Sequence, residues 1–419
     1  MLRKKVCRER KDAQERRVPE GWNEDSLVKL LEKIIDYRGQ SVPKADKGIP
    51  LITARNVRMG YIDDSTWEFV AAEDYDNWMT RGIPRAGDVL FTTEAPLGNA
   101  CMFPDSGKYA VGQRTVTLRT FKTILNAEYL LYFILSERGQ RIIDIRSSGS
   151  TAKGIKSSEL KKVRIPYPPL PEQTKIAQIL ATWDKAIETV EKLIENSKQQ
   201  KKALMQQLLM GKKRFKEFGE SWNPYAFEDF AGLSKQKHDP KASDAKIECI
   251  ELEHIEQLTS RLIGSTTTNP TMSTKSVFRK NDILFGKLRP YLRKYWLANK
   301  KGVCSTEIWV FQANENFVIP EYLIFLVQMD YFIGHTNISS GTHMPRADWN
   351  VVKETIFHLP SIEEQKKIAA ALSCSDKEIE SLQNTLVQLV CEKKVLMQQL
   401  LTGKRRVKVD TTKPIAETA

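Results

Sequence analysis

The chain has 419 residues, of which 41% are hydrophobic, enough for two or three soluble domains of ordinary size. No apolar run reaches the 18 residues that a membrane-spanning helix needs, and residues 1–17 are basic without the apolar segment of a secretory signal. The six cysteines form no CxxC pair, which argues against zinc ribbons and disulfide scaffolds and favours the reducing cytoplasm. The net charge of +13 favours a polyanionic partner such as nucleic acid.

An internal repeat dominates the sequence. Residues 201–216 read KKALMQQLLMGKKRFK, and residues 393–408 read KKVLMQQLLTGKRRVK, at an offset of 192 residues. The same offset relates EQTKIA at 172–177 to EQKKIA at 364–369, and upstream matches slip by one or two residues. A period of this length is too long for a solenoid and indicates two domains of one fold, each followed by the same connector.

Each connector is predicted to be a long helix. Apolar residues recur at alternating steps of four and three, the a/d pattern of a coiled coil, and neither glycine nor proline occurs between Pro171 and Gly211 or between Pro360 and Gly403. Lys201 and Lys393 occupy equivalent seam positions. The predicted seam residues are Ile176, Leu180, Trp183, Ile187, Val190, Ile194, Leu204, Ile368, Leu372, Ile379, Leu382, Leu386 and Leu396.

A seam needs a partner, and the other copy in the same chain supplies one. We therefore expect the two helices to pack antiparallel about a pseudo-two-fold axis, with dimerisation between chains as the alternative. The predicted fold is α+β, with two domains of shared fold in a pseudo-two-fold arrangement, separated by two long antiparallel coiled-coil helices. The predicted segments are a lead-in at 1–17, domain 1 at 18–168, spacer helix 1 at 169–212, a basic linker at 213–219, domain 2 at 220–358, spacer helix 2 at 359–403 and a tail at 404–419.

The two domains differ in their loops. Residues 149–156 (GSTAKGIK) correspond to 341–346 (GTHMPR), and residues 96–99 (PLGN) correspond to the basic segment 287–296 (KLRPYLRKYW). In that segment, cations suit phosphates and guanine, and aromatic rings can stack or wedge between bases. The alternative interpretation is a β-hairpin with a solvated face and a half-buried aromatic face. Similar domains with different loops suggest the same task on different targets. If that task is reading bases, each domain reads a different short sequence, and the joint target is not a palindrome.

Catalytic motifs are mostly absent. The first of five histidines is His238, no HxxxH spacing occurs, and no two glycines are separated by one residue, so no GxG loop is available for a dinucleotide or S-adenosylmethionine. Residues 149–157 (GSTAKGIKS) resemble a P-loop only loosely, and NPY at 223–225 lacks one proline of the NPPY methyltransferase loop. We expect no metal and no catalytic residue in this chain.

These features together resemble the specificity (S) subunit of Type I restriction-modification systems over residues 18–407. The resemblance rests on the duplicated order of the repeat, on IDYRG at 35–39 with GIPLIT at 48–53, and on PPLPEQ at 168–173 and LPSIEEQ at 359–365. It implies two target-recognition domains, each binding one half of an asymmetric bipartite DNA site, and helices that set the gap and dock two modification (M) subunits.

The resemblance also implies a non-catalytic chain without its own cofactor. S-adenosylmethionine, ATP and magnesium are expected on the modification and restriction (R) subunits. Two alternatives remain open: a coiled-coil adaptor that binds only proteins, and a specificity subunit of a methylation-only or combined cut-and-modify system. The candidate contacts to double-stranded DNA are basic residues of the loops and of the IDYRG segment: Arg38, Lys153, Lys156, Lys287, Arg289, Arg293, Lys294 and Arg346.

Overall fold

The computed structural model describes residues 18–149, 153–242, 245–338 and 344–409. The basic lead-in at 1–17, the residues from 410 onward and parts of the loops at 149–156 and 341–346 lie outside the described residues. The chain divides into two compact units, one formed by 1–190 with 385–419 and the other by 191–384. The first unit contains recognition domain 1, and the second contains recognition domain 2.

Domain 1 is a mixture of short strands and short helices. Its strands are β1 (Asn23–Ser26), β2 (Leu31–Asp36), β3 (Lys44–Ala45), β4 (Ile49–Ile52), β5 (Glu68–Val70), β6 (Val89–Thr92), β7 (Ala100–Met102), β8 (Ala110–Val111), β9 (Thr115–Thr120) and β10 (Arg164–Tyr167). Its helices are α1 (Leu27–Leu30), α2 (Tyr75–Trp78), α3 (Ala127–Leu135), α4 (Glu137–Ile145) and α5 (Ser157–Lys161), with 3-10 turns at Ala72–Asp74 and Met79–Arg81.

Two four-stranded sheets form the centre of domain 1. The first is antiparallel in the order β2-β9-β6-β7. One of its two inner strands, β6, is buried along its whole length. The second has the order β3-β5-β4-β8, in which β4 and β8 run parallel. Parallel neighbours end at the same sheet edge, so the turns that follow β4 and β8 lie side by side.

Domain 2 begins after the first long helix, α6 (Leu170–Leu209), and ends before the second, α11 (Ile362–Leu400). Its strands are β11 (Asn223–Ala226), β12 (Ala231–Leu233), β13 (Lys237–His238), β14 (Glu248–Ile250), β15 (Thr266–Thr267), β16 (Lys275–Phe278), β17 (Ile283–Gly286), β18 (Tyr295–Leu297), β19 (Gly302–Cys304), β20 (Ile308–Ala313) and β21 (Ile356–Leu359). Its helices are α7 (Phe227–Phe230), α8 (Pro320–Leu326), α9 (Asp330–Thr336) and α10 (Trp349–Val352), with 3-10 turns at Leu252–His254 and Pro290–Leu292.

The main sheet of domain 2 repeats that of domain 1, with β12-β20-β17-β18 in the places of β2-β9-β6-β7. The second sheet keeps one parallel pair, β14 with β19, but its order is β13-β16-β19-β14-β15. The strand β15 pairs with β14 as β5 pairs with β4, whereas β16 pairs with β19, the other strand of the parallel pair. The two domains share a fold, as the repeat predicts, and differ in how the second sheet is arranged.

The long helices have 40 and 39 residues, or about 60 Å each at 1.5 Å per residue. Each is followed by a glycine with positive φ, Gly211 at +65° and Gly403 at +68°, which suits the left-handed residue that commonly ends a helix. A β-carbon on Gly403 would lie 2.4 Å from the Pro19 ring, so the close approach of the chain also requires glycine there.

The helices pack antiparallel within each unit, which confirms the predicted fold. In the first unit, Ile176 and Leu180 near the start of α6 share a core with Leu400 at the end of α11. In the second unit, Leu208 at the end of α6 shares a core with Ile368 and Leu372 near the start of α11. The predicted seam side chains are all buried or half-buried. The two halves of the seam thus come from one chain, as expected from the repeat.

A buried glutamine ties each recognition domain to its long helix. The side-chain oxygen of Gln173 accepts a hydrogen bond from Asn126 N at 2.8 Å, and its amide donates to Ile124 O at 2.9 Å and to Pro168 O at 2.8 Å. The side chain is fully buried and all of its hydrogen-bonding groups find backbone partners. It therefore fixes the angle at which α6 leaves the domain.

Gln365 makes the same three bonds in the second unit. It accepts from Ile319 N at 3.0 Å and donates to Phe317 O at 2.7 Å and Pro360 O at 3.0 Å. We call Gln173 and Gln365 the junction glutamines.

The two seam lysines form matching ion pairs across the helices. Lys393 pairs with Asp184 in the first unit, and Lys201 pairs with Asp376 at 2.5 Å in the second. Each ammonium also lies over a ring from its recognition domain, Tyr132 at 5.5 Å for Lys393 and Phe325 at 5.4 Å for Lys201. A polar seam position that pairs with one residue of the facing helix fixes the register of the two helices.

A second matched pair closes each junction. Arg214 pairs with the buried carboxylate of Glu364 at 2.7 Å, and Arg406 pairs with Glu172 at 2.6 Å. The two arginines also donate to Glu220 O and Glu20 O, at the start of their domains. Each basic segment that follows a long helix therefore binds the beginning of the other.

Candidate nucleic-acid interface

Three loops meet at one edge of domain 2. Arg289 N donates to Pro345 O at 2.8 Å and Ala347 N donates to Lys287 O at 2.9 Å, which joins the two basic segments that sequence analysis singled out. Lys287 N donates to Glu307 O at 3.0 Å and adds the turn between β19 and β20. We call residues 287–294, 305–307 and 344–347 loop cluster 2.

Two of these three backbone contacts recur in domain 1. Thr93 N donates to Arg114 O at 2.9 Å, and Ile155 N donates to Thr93 O at 3.0 Å. We call residues 93–98, 112–114 and 153–156 loop cluster 1. An isolated antiparallel bridge between Glu94 and Gly154 matches the one between Leu288 and Arg346.

These contacts set the alignment of the two clusters residue by residue. Thr93 corresponds to Lys287, and Ala95-Pro96 corresponds to Arg289-Pro290. Ala95 and Arg289 both have left-handed backbones, with φ of +44° and +52°. That conformation is costly for a residue other than glycine, so the surrounding contacts must hold it in place.

Arg289 is available to a ligand. Its side chain is exposed and makes no hydrogen bond or ion pair to any residue that the structure describes. The neighbouring Tyr291 is 51% exposed. Lys287 is half-buried and Lys156 is exposed, and their side chains likewise have no partner among the described residues.

Three other predicted contacts of domain 2 are engaged within the protein. Arg293 pairs with Asp330 and donates to Gln328 O at 3.3 Å, and its hydrogen bond holds the pKa of Asp330 below its usual value. Lys294 Nζ donates to Leu252 O at 2.7 Å, and Arg346 pairs with Glu307 at 2.9 Å. These side chains position the loops of cluster 2.

Two predicted contacts of domain 1 also bind neighbouring residues. Arg38 pairs with Asp36 at 2.6 Å and donates to Ile155 O at 2.9 Å, so it supports the 153–156 loop. Burial would raise the pKa of Asp36, but hydrogen bonds and charge from Arg38 outweigh it and lower that pKa. Lys153 is exposed and pairs with Asp144.

Two aromatic residues of the 287–296 segment, Tyr295 and Trp296, are not available for stacking. Tyr295 and Trp296 are 3% and 5% exposed because they lie on β18 and pack into the domain core. The expectation that these two rings stack on bases is therefore wrong, and the half-buried hairpin face is the correct interpretation for them.

A groove beside loop cluster 1 is lined by polar residues that sequence reasoning missed. This groove, of about 310 Å³, lies where β4 and β8 end, and Arg55, Gln113 and Arg114 contribute to its walls. Local periodicity could not reveal this groove, because the groove depends on parallel pairing between residues 59 positions apart, such as Leu51 and Ala110.

Among the described residues, no group of histidine, cysteine, aspartate or glutamate side chains could hold a metal ion. In the same part of the chain, no helix has the length and apolarity required to span a membrane.

The fold and its paired loop clusters define a two-domain recognition subunit built by duplication. A family model for the Type I restriction modification DNA specificity domain matches residues 58–198 and 219–389. The chain therefore belongs to this family and is a Type I specificity subunit with two target-recognition domains.

Individual relatives agree. The chain is 26% identical over 423 residues to the MjaX specificity subunit of Methanocaldococcus jannaschii, covering 93% of this chain and 95% of the relative. It is 23% identical over 298 residues to the EcoDI specificity subunit of Escherichia coli, covering 63% and 65%.

Two solved structures share the fold. A chain from a study of assembly and conformational transition of the type I system gives a TM-score of 0.56 at 15% identity, covering 93% of this chain and all of that one. The S subunit of M. genitalium gives 0.54 at 14% identity, covering 92% and 98%.

Proposed function

We propose that loop cluster 1 and loop cluster 2 each bind one half of an asymmetric bipartite site in double-stranded DNA. The observation that carries this proposal is the duplicated backbone of the clusters, on which different side chains stand at matched positions. Arg289 stands where domain 1 has Ala95, and Glu307 stands where domain 1 has Arg114. Two surfaces with one backbone and different donors suit two different base sequences.

The chain supplies recognition and no chemistry of its own. Two modification subunits bind the long helices and contribute S-adenosylmethionine, and restriction subunits with ATP and magnesium join them in the full complex. The long helices set the gap between the half-sites, because their matched ion pairs fix the register of α6 against α11.

Sequencing the methylome of a host that carries this chain with its modification partner tests the proposal directly. The expected result is one bipartite motif with unlike halves and a constant gap. A methylation pattern independent of this chain would contradict it.

Binding of the purified chain and its modification partner to the identified site should weaken steeply as salt rises, because lysines and arginines release counterions from phosphates. Arg289→Ala should weaken binding through the second half-site. Lys301→Ala, an exposed lysine at the opposite end of β18, is the matched control. Salt-independent or absent DNA binding would favour the protein-binding adaptor instead.

Shortening both long helices by the same whole number of heptads should shorten the gap and leave both half-sites intact. The deletions must spare the junction glutamines and the two lysine–aspartate pairs. An unchanged gap would refute the role of the helices as spacers.

A further inference from the structure

The groove at the ends of β4 and β8 lies between two turns. Gly112 N donates to Ile52 O at 2.8 Å, which brings the 112–114 turn against the residues that follow β4. The groove is bounded by Thr53, Arg55, Ala95, Gln113 and Arg114. All of these residues belong to the first unit.

The backbone on both sides of the groove is held in place. Asn56 is only 3% exposed, and its side chain accepts a hydrogen bond from Thr53 N at 3.0 Å and donates to Asp63 O and Thr66 O. These bonds hold the 53–56 turn against the segment that follows it. On the other side, Thr93 N holds Arg114 O. A base-reading side chain needs such a fixed backbone, because its hydrogen bonds must meet base edges within a narrow tolerance.

Two donors on these turns remain free. Arg55 is exposed and Gln113 is half-buried, and neither side chain has a hydrogen-bond partner among the described residues. Arg114, in contrast, is paired with Glu94 at 3.1 Å. A glutamine amide can form two bonds with adenine and an arginine can form two bonds with guanine in the major groove.

The matched positions of domain 2 carry different chemistry. Thr306 and Glu307 replace Gln113 and Arg114, and Glu307 is held by Arg346. Glu251, which directly follows β14, occupies the place of Thr53 and pairs with Lys275 at 2.7 Å. By the same alignment Glu253 stands where domain 1 has Arg55, so the free amide and guanidinium are particular to domain 1.

We propose that Gln113 and Arg55 determine the sequence of the first half-site, with Gln113 recognising an adenine and Arg55 a guanine. This inference rests on the proposed function, since it assigns bases within a site that the chain as a whole must bind. Gln113 and Arg55 stand on opposite turns of one groove, so their targets are close together in the same half-site.

The test uses the full chain with its modification partner and the motif found by methylome sequencing. Gln113→Ala should relax one adenine position of one half-site and reduce discrimination there by about 10- to 100-fold, the range for one bidentate pair. The other half-site and the gap should stay unchanged. Arg55→Ala should do the same at a guanine of the same half-site.

Gln113→Glu gives a second, positive readout. A carboxylate accepts from the cytosine amino group, so preference at the same position should move from adenine toward cytosine. Lys122→Ala, an exposed lysine beyond the opposite end of β9, is the control and should leave the motif unchanged.

A variant that methylates poorly can still be tested by competition binding. Oligonucleotides that carry each base at each half-site position give the base preference independently of methylation. Uniform loss of affinity without a change in base ranking would overturn the proposal and assign Gln113 a structural or phosphate role. An unaltered motif in both alanine variants would also overturn it. Failure of the proposed function would appear separately, as a wild-type complex that yields no bipartite motif.

Discussion

The glutamine and arginine contacts at the junctions repeat between the two copies, whereas the loop clusters repeat only in the backbone. Gln173 and Gln365 each bind three backbone groups, and Arg406 and Arg214 each bind a buried glutamate. At the loop clusters the backbone bonds recur, but Arg289 replaces Ala95 and the ion pairs join different residues.

This contrast separates two physical tasks within one fold. The junctions need a fixed angle between a domain and a helix, which backbone hydrogen bonds and buried ion pairs provide. The loop clusters need a fixed backbone that tolerates different side chains. Substitutions of the junction glutamines should therefore alter stability in both copies alike, and substitutions at the clusters should alter one copy only.

The largest effect is expected at the junction glutamines. Gln173→Leu leaves one backbone amide and two carbonyls without their partner in a buried site, and should cost about 3–5 kcal/mol of unfolding free energy. Gln365→Leu should cost about as much, and urea denaturation followed by circular dichroism measures both. Gln178→Leu, on the exposed side of α6, should change little. Unequal losses would break the equivalence of the junctions.

The seam lysines should reveal a difference between the copies. In the first unit the Tyr132 hydroxyl donates to Asp184 at 2.7 Å, so Asp184 keeps a donor when Lys393 is removed. In the second unit Phe325 offers none. Lys201→Met should therefore cost about 2 kcal/mol and Lys393→Met about 1 kcal/mol.

Adding Phe325→Tyr to Lys201→Met should recover part of the lost stability in the same denaturation experiment. A tyrosine that gives no recovery would show that the hydroxyl is not what distinguishes the two pairs.

The tryptophans at the junctions should also differ between the copies, and by a similar amount. Trp222 Nε1 donates to Glu364 at 3.1 Å, whereas Trp22 Nε1 is buried without a hydrogen-bond partner among the described residues. Trp222→Phe should cost about 1 kcal/mol more than Trp22→Phe, because only Trp222 loses a bond to a charged group. Thermal unfolding of the two variants measures the difference, and equal melting temperatures would contradict it.

The smallest effect is a pH dependence in loop cluster 2. Arg293 lowers the pKa of Asp330, so the folded state gains stability from this group above the ordinary aspartate pKa of about 4 and loses it as pH falls through the lowered value. Wild type should exceed Asp330→Asn in stability near neutral pH, and the difference should shrink below about pH 4. A difference that grows on acidification would reverse the assigned sign.

The sequence predicts well those parts of the fold that depend on local patterns, and predicts poorly those that depend on contacts between distant residues. The duplicated segments and the a/d residues such as Ile176 and Leu180 identify the long helices, because helical periodicity is a local property. The alignment of the loop clusters needs pairings between distant strands, which small insertions obscure. Backbone contacts such as those between Thr93 and Arg114 and between Lys287 and Glu307 set that alignment.

The candidate DNA contacts were less predictable, because charge alone does not show whether a cation already has a partner. Arg38 lies two residues from Asp36, so the sequence alone already suggests that ion pair. The pair of Arg293 with Asp330 and the burial of Trp296 depend on tertiary structure. Gln113 carries no charge or motif, and only the groove draws attention to it.

The interleaved make-up of the two units bears on the order in which they fold during synthesis. The second unit is continuous from 191 to 384, whereas the first combines 1–190 with 385–419. The second unit can therefore form its internal contacts before the first unit is complete. At that stage Leu180 and Glu172 still lack Leu400 and Arg406. During synthesis, the second unit is therefore complete before the first. The first unit can form its last contacts only after the end of α11 has been translated.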